Sequence, residues 1–124
     1  MLNDKVILVV DDDPTLLEMY VERFKASGAI VIKAVNGEDA ITQIKENHPV
    51  CVLLDVMMPK VNGFDVLKEI RGNSDTAQTP IIVLTALNDD VKRKMAMDLG
   101  ANDFICKAES LPSDVVAKVE KFVK

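Results

Sequence analysis

Cysteine, histidine and long hydrophobic runs are scarce in this sequence of 124 residues. Its two cysteines, Cys51 and Cys106, both fall inside predicted strands, where a free thiol behaves as a small hydrophobic group. His48, the only histidine, precedes a proline and is interpreted as a surface turn residue rather than as a metal ligand or a base. No apolar run approaches the roughly 18 residues that a membrane-spanning helix requires. With no signal-peptide pattern at its start, the sequence predicts a protein of the reducing cytoplasm that does not contact membranes.

Positive charge is also limited. The chain has 15 lysines and arginines against 20 aspartates and glutamates, which gives a formal net charge of −5 at pH 7. The lysines are dispersed and no aromatic pairs are interleaved with them, whereas a small DNA-binding domain usually carries a basic stripe. The sequence therefore argues against direct nucleic acid binding and favours protein partners.

The length predicts one domain, residues 1–124, with a core that needs no disulfide or structural metal. Short apolar runs alternate with longer amphipathic stretches, which is typical of βαβ units and a parallel sheet, so the predicted fold class is α/β. The predicted strands are Val6 to Val10, Ile30 to Ala34, Val50 to Leu54, Ile81 to Thr85 and Phe104 to Cys106. The first, third and fourth are almost continuously apolar and are expected in the centre of the sheet, whereas the second and fifth are expected at its edges.

A helical stretch follows each predicted strand. In the first, apolar residues recur at helical spacing, Pro14 suits the first turn, and Ser27-Gly28 ends the helix. These apolar residues are Leu16, Leu17, Tyr20, Val21 and Phe24. The other helices are predicted at Gly37 to Asn47, Gly63 to Arg71, Asp89 to Leu99 and Pro112 to Lys124. A polar loop is expected from Gly72 to Thr79.

Carboxylates follow two of the strands that are expected in the centre of the sheet. Asp11, Asp12 and Asp13 follow the first strand, and Asp55 follows the third. If these strands are parallel neighbours, their carboxyl ends meet at one edge, where close carboxylates repel by roughly 4 kcal/mol per pair at an effective dielectric constant of about 20. Oxygen ligands without nearby histidine or thiolate select a hard divalent cation, above all Mg²⁺, which in such sites usually handles phosphate. The sequence therefore predicts a protein that moves a phosphoryl group.

Four short motifs stand at the carboxyl ends of predicted strands. They are Val9-Val10-Asp11-Asp12 after the first strand, Asp55-Val56-Met57-Met58-Pro59 with Asn62-Gly63-Phe64 after the third, Thr85-Ala86 after the fourth and Lys107 after the fifth. Together they converge on the crevice in which open α/β sheets bind ligands. With these motifs the chain resembles the receiver (CheY-like) domains of two-component response regulators over essentially its whole length. The resemblance implies a flavodoxin-like, doubly wound (βα)5 fold with a five-stranded parallel sheet of order 2-1-3-4-5.

The resemblance assigns a role to several acidic residues. It makes Asp55 the phosphoryl acceptor, with Asp12 and Asp55 binding Mg²⁺ directly and Asp11 contributing partly through water. Met57 would add its backbone carbonyl to the metal site. The physical argument agrees, because Mg²⁺ neutralises the acidic cluster and bridges to the incoming phosphate, so that a carboxylate can attack an anion.

The resemblance also implies a conformational switch. Lys107 would hold a phosphate oxygen or Asp55 itself, and Thr85 would donate a hydrogen bond to another phosphate oxygen. After phosphorylation, Thr85 would move toward the phosphoryl group and Phe104 would rotate inward, which changes the surface formed by the fourth helix, the fifth strand and the fifth helix. Strand alternation gives Phe104 and Ile105 opposite faces, so Phe104 is expected on the side of the fourth helix.

The partners implied by the resemblance are a sensor histidine kinase or a phosphotransfer protein as the phosphoryl donor, and a downstream effector protein. The surface of the fourth helix, fifth strand and fifth helix would contact the effector and could also form a homodimer. Such a receiver is a signalling protein rather than an enzyme, because it catalyses only its own phosphoryl transfer and dephosphorylation.

Two features depart from the family's pattern. Ala108 follows Lys107 where the family usually has a proline after a cis peptide bond, and a non-proline cis bond costs roughly 2.5 to 4 kcal/mol, so we predict a trans bond. Met57 and Leu87 flank the phosphate where family members often carry polar groups, and two apolar residues would hinder the attacking water. We therefore predict slow self-dephosphorylation.

Simpler interpretations stay open for several of these residues. Asp13 is interpreted as the N-cap of the first helix. Taken singly, Lys107 would be a solvated lysine, Thr85 a strand residue and Phe104 a packed aromatic.

An alternative function is a haloacid-dehalogenase-like, Mg²⁺-dependent phosphatase with Asp11 as nucleophile and Asp13 as general acid and base. Two further alternatives are an FMN module, which the acidic loop after the first strand disfavours, and a receiver-like module that binds partners without phosphorylation.

Overall fold

The computed structural model describes residues 2–56, 58, 61–85, 90–107 and 110–123. Its strands are β1 (Val6–Val10), β2 (Ile30–Ala34), β3 (Cys51–Leu54), β4 (Ile81–Thr85) and β5 (Asp103–Cys106). They form one sheet in the order β2-β1-β3-β4-β5, and every neighbouring pair is parallel. The predicted α/β fold and strand order are therefore confirmed, with β2 and β5 at the edges as expected.

The helices of the described residues are α1 (Pro14–Ala26), α2 (Gly37–Asn47), α3 (Gly63–Arg71), α4 (Asp90–Asp98) and α5 (Pro112–Phe122). The ranges of α2 and α3 match those predicted, and α1 begins at Pro14 as expected. α4 and α5 end earlier than predicted, at Asp98 and Phe122, and the predicted boundary residues Asp89 and Lys124 lie outside the described residues. None of these helices is long and apolar enough to cross a membrane.

Two strands begin at a residue other than the one predicted. β3 begins at Cys51, which pairs with Ile7 of β1, rather than at Val50. β5 begins at Asp103, one residue earlier than predicted, because Asp103 pairs with Ile82 of β4. An apolar run cannot reveal this start, since the first residue of the strand is charged.

Helices cover both faces of the sheet and enclose two hydrophobic cores. Successive residues of a strand point to opposite faces, so β1 contributes Leu8 and Val10 to one core and Ile7 and Val9 to the other. The first core also contains residues of α2, α3 and α4, and the second contains residues of α1 and α5. Every residue of β3 and β4 is buried, as in strands covered on both faces. Polar groups that belong to the sheet can therefore gather only at its ends.

Several local predictions can also be checked. His48 is exposed and follows α2 with a φ of 45°, which agrees with a turn residue. Cys51 and Cys106 are buried and form no disulfide, as predicted. Residues 72–79 form no helix or strand, as predicted, and within this loop Thr76 is fully buried, with its hydroxyl donating a hydrogen bond to the Ile70 carbonyl at 2.8 Å.

Candidate metal and phosphoryl site

Asp11 and Asp55 lie side by side at the carboxyl edge of the sheet. In the parallel pair of β1 and β3, Val10 is the partner of Leu54, and each aspartate is the next residue along its strand. The backbone N–H of Asp55 donates to the Val10 carbonyl at 3.0 Å, and that of Asp11 donates to the Ala34 carbonyl at 3.1 Å. The hydrogen-bonded register therefore extends to both aspartates and brings these carboxylates together.

Asp12 completes a group of three carboxylates. One carboxylate oxygen from each of Asp11, Asp12 and Asp55 lies within 4.8 Å of the other two. Asp11 and Asp55 are buried, whereas Asp12 is exposed. At such separations each pair of charges repels by roughly 3 to 4 kcal/mol at an effective dielectric constant of about 20. A hard divalent cation with oxygen ligands would relieve this repulsion.

One lysine partly compensates this negative charge. Lys107 directly follows β5, and its ammonium group lies 2.7 Å from a carboxylate oxygen of Asp11 and 3.6 Å from one of Asp55. Burial lowers the pKa of Lys107, but the hydrogen bond to Asp11 and the charges of both carboxylates outweigh burial, so the pKa is raised above its ordinary value. The side chain is therefore charged at neutral pH. The predicted contact with Asp55 is therefore present, and a shorter contact with Asp11, which was not predicted, accompanies it.

Asp13 has a different role from the other three acidic residues. Its carboxylate accepts hydrogen bonds from the backbone N–H groups of Thr15 at 2.9 Å and Leu16 at 3.2 Å. Its own backbone N–H donates to the Asp11 carboxylate at 2.9 Å. Asp13 is thus the N-cap of α1, as predicted, and within the described part of the chain the three-carboxylate group does not include it.

Thr85 and Phe104 lie on the two strands beyond β3. Thr85 ends β4 and is fully buried. Phe104 is 4% exposed and packs in the core that contains α4, whereas Ile105 packs in the opposite core. The predicted alternation of these two residues is confirmed. The guanidinium group of Arg93, on α4, lies 5.5 Å from the centroid of the Phe104 ring.

We next compared the sequence of this chain with those of known protein families. The sequence profile described as "Response regulator receiver domain" matches residues 7–120. The chain belongs to this family. Its receiver domain therefore accounts for nearly the whole sequence given.

Curated relatives show how much of a longer protein such a domain can represent. "Probable transcriptional regulator ycf27" of Cyanophora paradoxa is 40% identical over 123 residues, which cover 99% of this chain and 50% of the relative. "DNA-binding response regulator MtrA" of Mycolicibacterium smegmatis is 39% identical over 113 residues, or 91% of this chain and 48% of the relative. The chain spans about half the length of the curated relatives it matches.

The fold also agrees with that of a solved relative. A crystal structure of a response regulator from Chloroflexus aurantiacus J-10-fl is 32% identical in sequence to this receiver domain. The two structures superpose with a TM-score of 0.90, and the alignment covers 98% of each chain. Secondary structure and topology are therefore shared along almost the entire chain.

Some residues of the receiver motifs, and residues that depart from the family's pattern, lie outside the described ranges. They are Met57, Pro59, Ala86, Leu87 and Ala108. The backbone metal ligand, the trans bond and the slow self-dephosphorylation that we predicted from these residues therefore stay predictions.

Tyr20 adjoins the site without having been predicted there, and Gly63, part of a predicted motif, makes a contact that the motif did not specify. Tyr20 of α1 is 2% exposed; burial raises its pKa, the charge of Lys107 opposes this effect, and the charge of Asp11 adds to it. Gly63 begins α3 so close to Asp55 that an added Cβ would lie 2.8 Å from the Asp55 carbonyl oxygen. Helical spacing identifies Tyr20 only as a core residue, and the motif that contains Gly63 places it near the site without identifying its contact with Asp55. Neither pattern reports contacts between distant segments.

Proposed function

We propose that residues 1–124 form a single receiver domain of a two-component signalling system, in which Asp55 accepts a phosphoryl group. The observation that carries this proposal is the group of three carboxylates within 4.8 Å of one another, with Lys107 in contact with two of them. Membership of the receiver family supports it further. The phosphoryl donor would be a sensor histidine kinase or a phosphotransfer protein.

The residues at this edge of the sheet suit Mg²⁺. Asp11, Asp12 and Asp55 offer only oxygen ligands, which a hard cation prefers. In this proposal Asp12 and Asp55 bind the metal directly, Asp11 binds partly through water, and Met57 contributes its backbone carbonyl. When bound, Mg²⁺ supplies positive charge that offsets the carboxylates and the incoming phosphoryl group.

The proposed transfer is a substitution at phosphorus. A carboxylate oxygen of Asp55 attacks the phosphorus atom and forms a P–O bond, while the bond from phosphorus to the donor breaks and its electron pair leaves with the donor. The leaving atom is a ring nitrogen of phosphohistidine, or an acetate oxygen when acetyl phosphate is the donor. Lys107, which lies 3.6 Å from Asp55, would bind one phosphoryl oxygen, and Thr85 would donate a hydrogen bond to another. The chain would catalyse only this transfer and the later loss of the phosphoryl group, as a signalling protein rather than an enzyme.

We also propose that phosphorylation changes the surface formed by α4, β5 and α5, which would bind a downstream effector protein or a second copy of the chain. A phosphoryl group adds about −1.5 to −2 charges beside Thr85, and movement of Thr85 would be followed by Phe104. Because the chain has a net charge of −5, we do not propose direct binding to nucleic acid or to a membrane. A cytoplasmic location stays a prediction.

Intact mass measured after incubation with Mg²⁺ and acetyl phosphate tests the acceptor. We expect one added phosphoryl group on the unmodified sequence and none on Asp55→Asn, because that amide cannot act as the nucleophile. Asp11→Asn serves as the second variant. If it also loses the adduct, borohydride trapping on the unmodified protein identifies the phosphorylated residue, and a position other than Asp55 would contradict the proposal.

The same experiment separates the alternatives. Turnover of phosphate esters without an adduct, abolished by Asp11→Asn, would support the haloacid-dehalogenase-like phosphatase. That alternative has less structural support, because Asp13 caps α1 and Asp11 is paired with Lys107 at 2.7 Å. Neither adduct nor turnover would support a binding module that works without phosphorylation.

A further inference from the structure

Gly37, the first residue of α2, lies against the segment formed by residues 61–63, which precedes and begins α3. A Cβ added to Gly37 would lie 2.2 Å from the Val61 carbonyl oxygen and 2.6 Å from its Cγ1. Both distances are well below the 3.0 Å that real Cβ atoms keep from their neighbours. The nearest obstacle is a backbone carbonyl, so a rotamer change cannot remove it. The contact therefore requires a residue without a side chain.

Backbone conformation does not explain this glycine. The glycines with positive φ are Gly28 and Gly100, and Gly37 is not among them. Within a helix, alanine is favoured over glycine because it loses less conformational freedom on folding. Close approach to Val61 is thus the feature of Gly37 that an alanine could not reproduce.

The far side of the same segment contacts the backbone of the proposed phosphoryl acceptor. A Cβ on Gly63 would lie 2.5 Å from Cα of Val56 and 2.8 Å from the carbonyl oxygen of Asp55. The backbone N–H of Gly63 donates to the Val56 carbonyl at 3.3 Å. Residues 61–63 therefore fill the space between the first turn of α2 and Asp55–Val56, with a glycine at each contact.

Side-chain caps hold both helix starts in place. Asn36 accepts a hydrogen bond from the Asp39 N–H at 2.8 Å at the start of α2. Asn62 and Asp65 form a reciprocal capping box at the start of α3, at 3.1 and 3.2 Å. Because these turns are fixed, a displacement at Gly37 would be passed along residues 61–63 rather than absorbed by fraying.

We propose that Gly37 is a positioning residue for the phosphoryl site. Because Gly37 has no side chain, residues 61–63 can pack directly against it, and this packing fixes their position. Through Gly63, the same packing fixes the position of the Asp55 backbone. This inference rests on the proposed role of Asp55 as acceptor. Gly37 belongs to none of the four sequence motifs. It follows β2, which is separated from β3, the strand before Asp55, by β1. Its contribution is geometric, since it adds no group to the reaction.

Gly37→Ala tests this role. The added methyl group should push residues 61–63 toward Asp55, and misplacement of a reacting group by a fraction of an ångström should lower the rate of phosphorylation by acetyl phosphate about tenfold. The second readout is the ¹H–¹⁵N spectrum of the protein without any phosphoryl donor. The amide signals of Asp55 and Val56 should shift in this variant.

Two controls separate positioning from loss of stability. Gly72→Ala makes the same change at the end of α3, where the nearest atom to the added Cβ is the Lys68 carbonyl oxygen of the same helix at 3.1 Å. Ile44→Val weakens the packing of α2 without adding an atom near Val61. Both should keep the normal rate and the normal Asp55 and Val56 signals. A Gly37→Ala protein that is folded, with unchanged rate and signals, would overturn the proposal.

If Gly37→Ala does not fold, Val61→Ala tests the same contact by changing the residue that packs against Gly37. Loss of the Val61 side chain should loosen residues 61–63, shift the Asp55 and Val56 amides and reduce the rate severalfold, whereas unchanged values would refute the role of this contact. If the unmodified protein takes up no phosphoryl group, the proposed function fails. The amide shifts would still show whether Gly37 and Asp55 are coupled, so the two failures are distinguishable.

Discussion

At the scale of single residues, environment separates four neighbouring aspartates into different roles. Asp11 and Asp55 are buried and share one cation, Lys107, at 2.7 and 3.6 Å. Asp12 is exposed but contributes an oxygen to the same group, whereas the Asp13 carboxylate accepts hydrogen bonds from backbone N–H groups at the start of α1. Lys107 carries one positive charge against three carboxylates, and a divalent cation could offset negative charge that Lys107 does not balance.

Replacement of Asp13 tests its assignment as a cap. Asp13→Ala should lower the free energy of unfolding by about 1 kcal/mol, because two N–H groups of α1 lose their acceptor. Mg²⁺ binding and phosphorylation should persist. Chemical denaturation and the mass assay measure the two effects, and Asp13→Asn, which keeps an oxygen acceptor, should restore most of the stability. Loss of phosphorylation in both variants would instead make Asp13 part of the site.

Cys51 predicts a dependence of stability on alkaline pH. Burial raises the pKa of its thiol from 9.0 to about 12, so the folded protein binds a proton that the unfolded chain releases above pH 9. The stability that this thiol contributes is complete below pH 9 and is lost between pH 9 and 12, at roughly 1.4 kcal/mol per pH unit. The free energy of unfolding should therefore fall more steeply above pH 9 than in Cys51→Val. Parallel curves for the two proteins would contradict this prediction.

At the scale of elements, α4 is attached differently from the other helices. Its one buried residue is Ala96. Near its start, Lys92 lies 5.7 Å from the Phe64 ring centroid and Arg93 lies 5.5 Å from that of Phe104. Such cation–π contacts are worth roughly 0.5 to 1 kcal/mol each at exposed sites, less than burial of a large apolar side chain. These two contacts at the start of α4 are therefore weak ones.

The turn that follows α4 is held by several hydrogen bonds. Arg71, at the end of α3, donates from Nε to the Gly100 carbonyl at 2.9 Å and from Nη2 to the Asn102 side chain at 3.0 Å. The same Asn102 oxygen accepts the Ile81 N–H at 2.8 Å. These bonds connect α3, β4 and the turn before β5, so motion of α4 is expected to pivot about this end.

Native-state hydrogen exchange tests this difference. Amides of α4 should exchange faster than those of α3, which has five buried residues over the same length of nine residues. Phe64→Leu removes one ring and should accelerate exchange near the start of α4 more than near its end. Equal protection of α3 and α4 would show that the weak contacts do not limit the stability of α4.

At the scale of the whole molecule, the acidic cluster would link the proposed binding of Mg²⁺ to folding. The carboxylates converge only when β1 and β3 are paired, so an unfolded chain should bind Mg²⁺ poorly. A ligand that binds only the folded state stabilises it by RT ln(1 + [L]/Kd), about 2.7 kcal/mol at 100 times Kd. The proposed receiver should therefore be more stable in the presence of Mg²⁺.

Thermal unfolding with and without Mg²⁺ measures this stabilisation. The midpoint should rise with Mg²⁺ concentration at constant ionic strength, and the rise should be much smaller in Asp12→Ala and Asp55→Asn. Asp13→Ala is the matched acidic control and should keep the full response. An equal rise in all four proteins would indicate general charge screening rather than a metal site.

The sequence by itself determined the parallel α/β fold, the edge positions of β2 and β5 and the meeting of the aspartates after β1 and β3. These features follow from local rules, since continuous apolar runs mark strands covered on both faces and parallel strands end at a common edge. Only the tertiary structure decided that Lys107 lies closer to Asp11 than to Asp55, that Thr76 is buried, and that Gly37 lies against Val61. Each of these depends on the packing of one segment against another, which periodicity and turn chemistry do not encode.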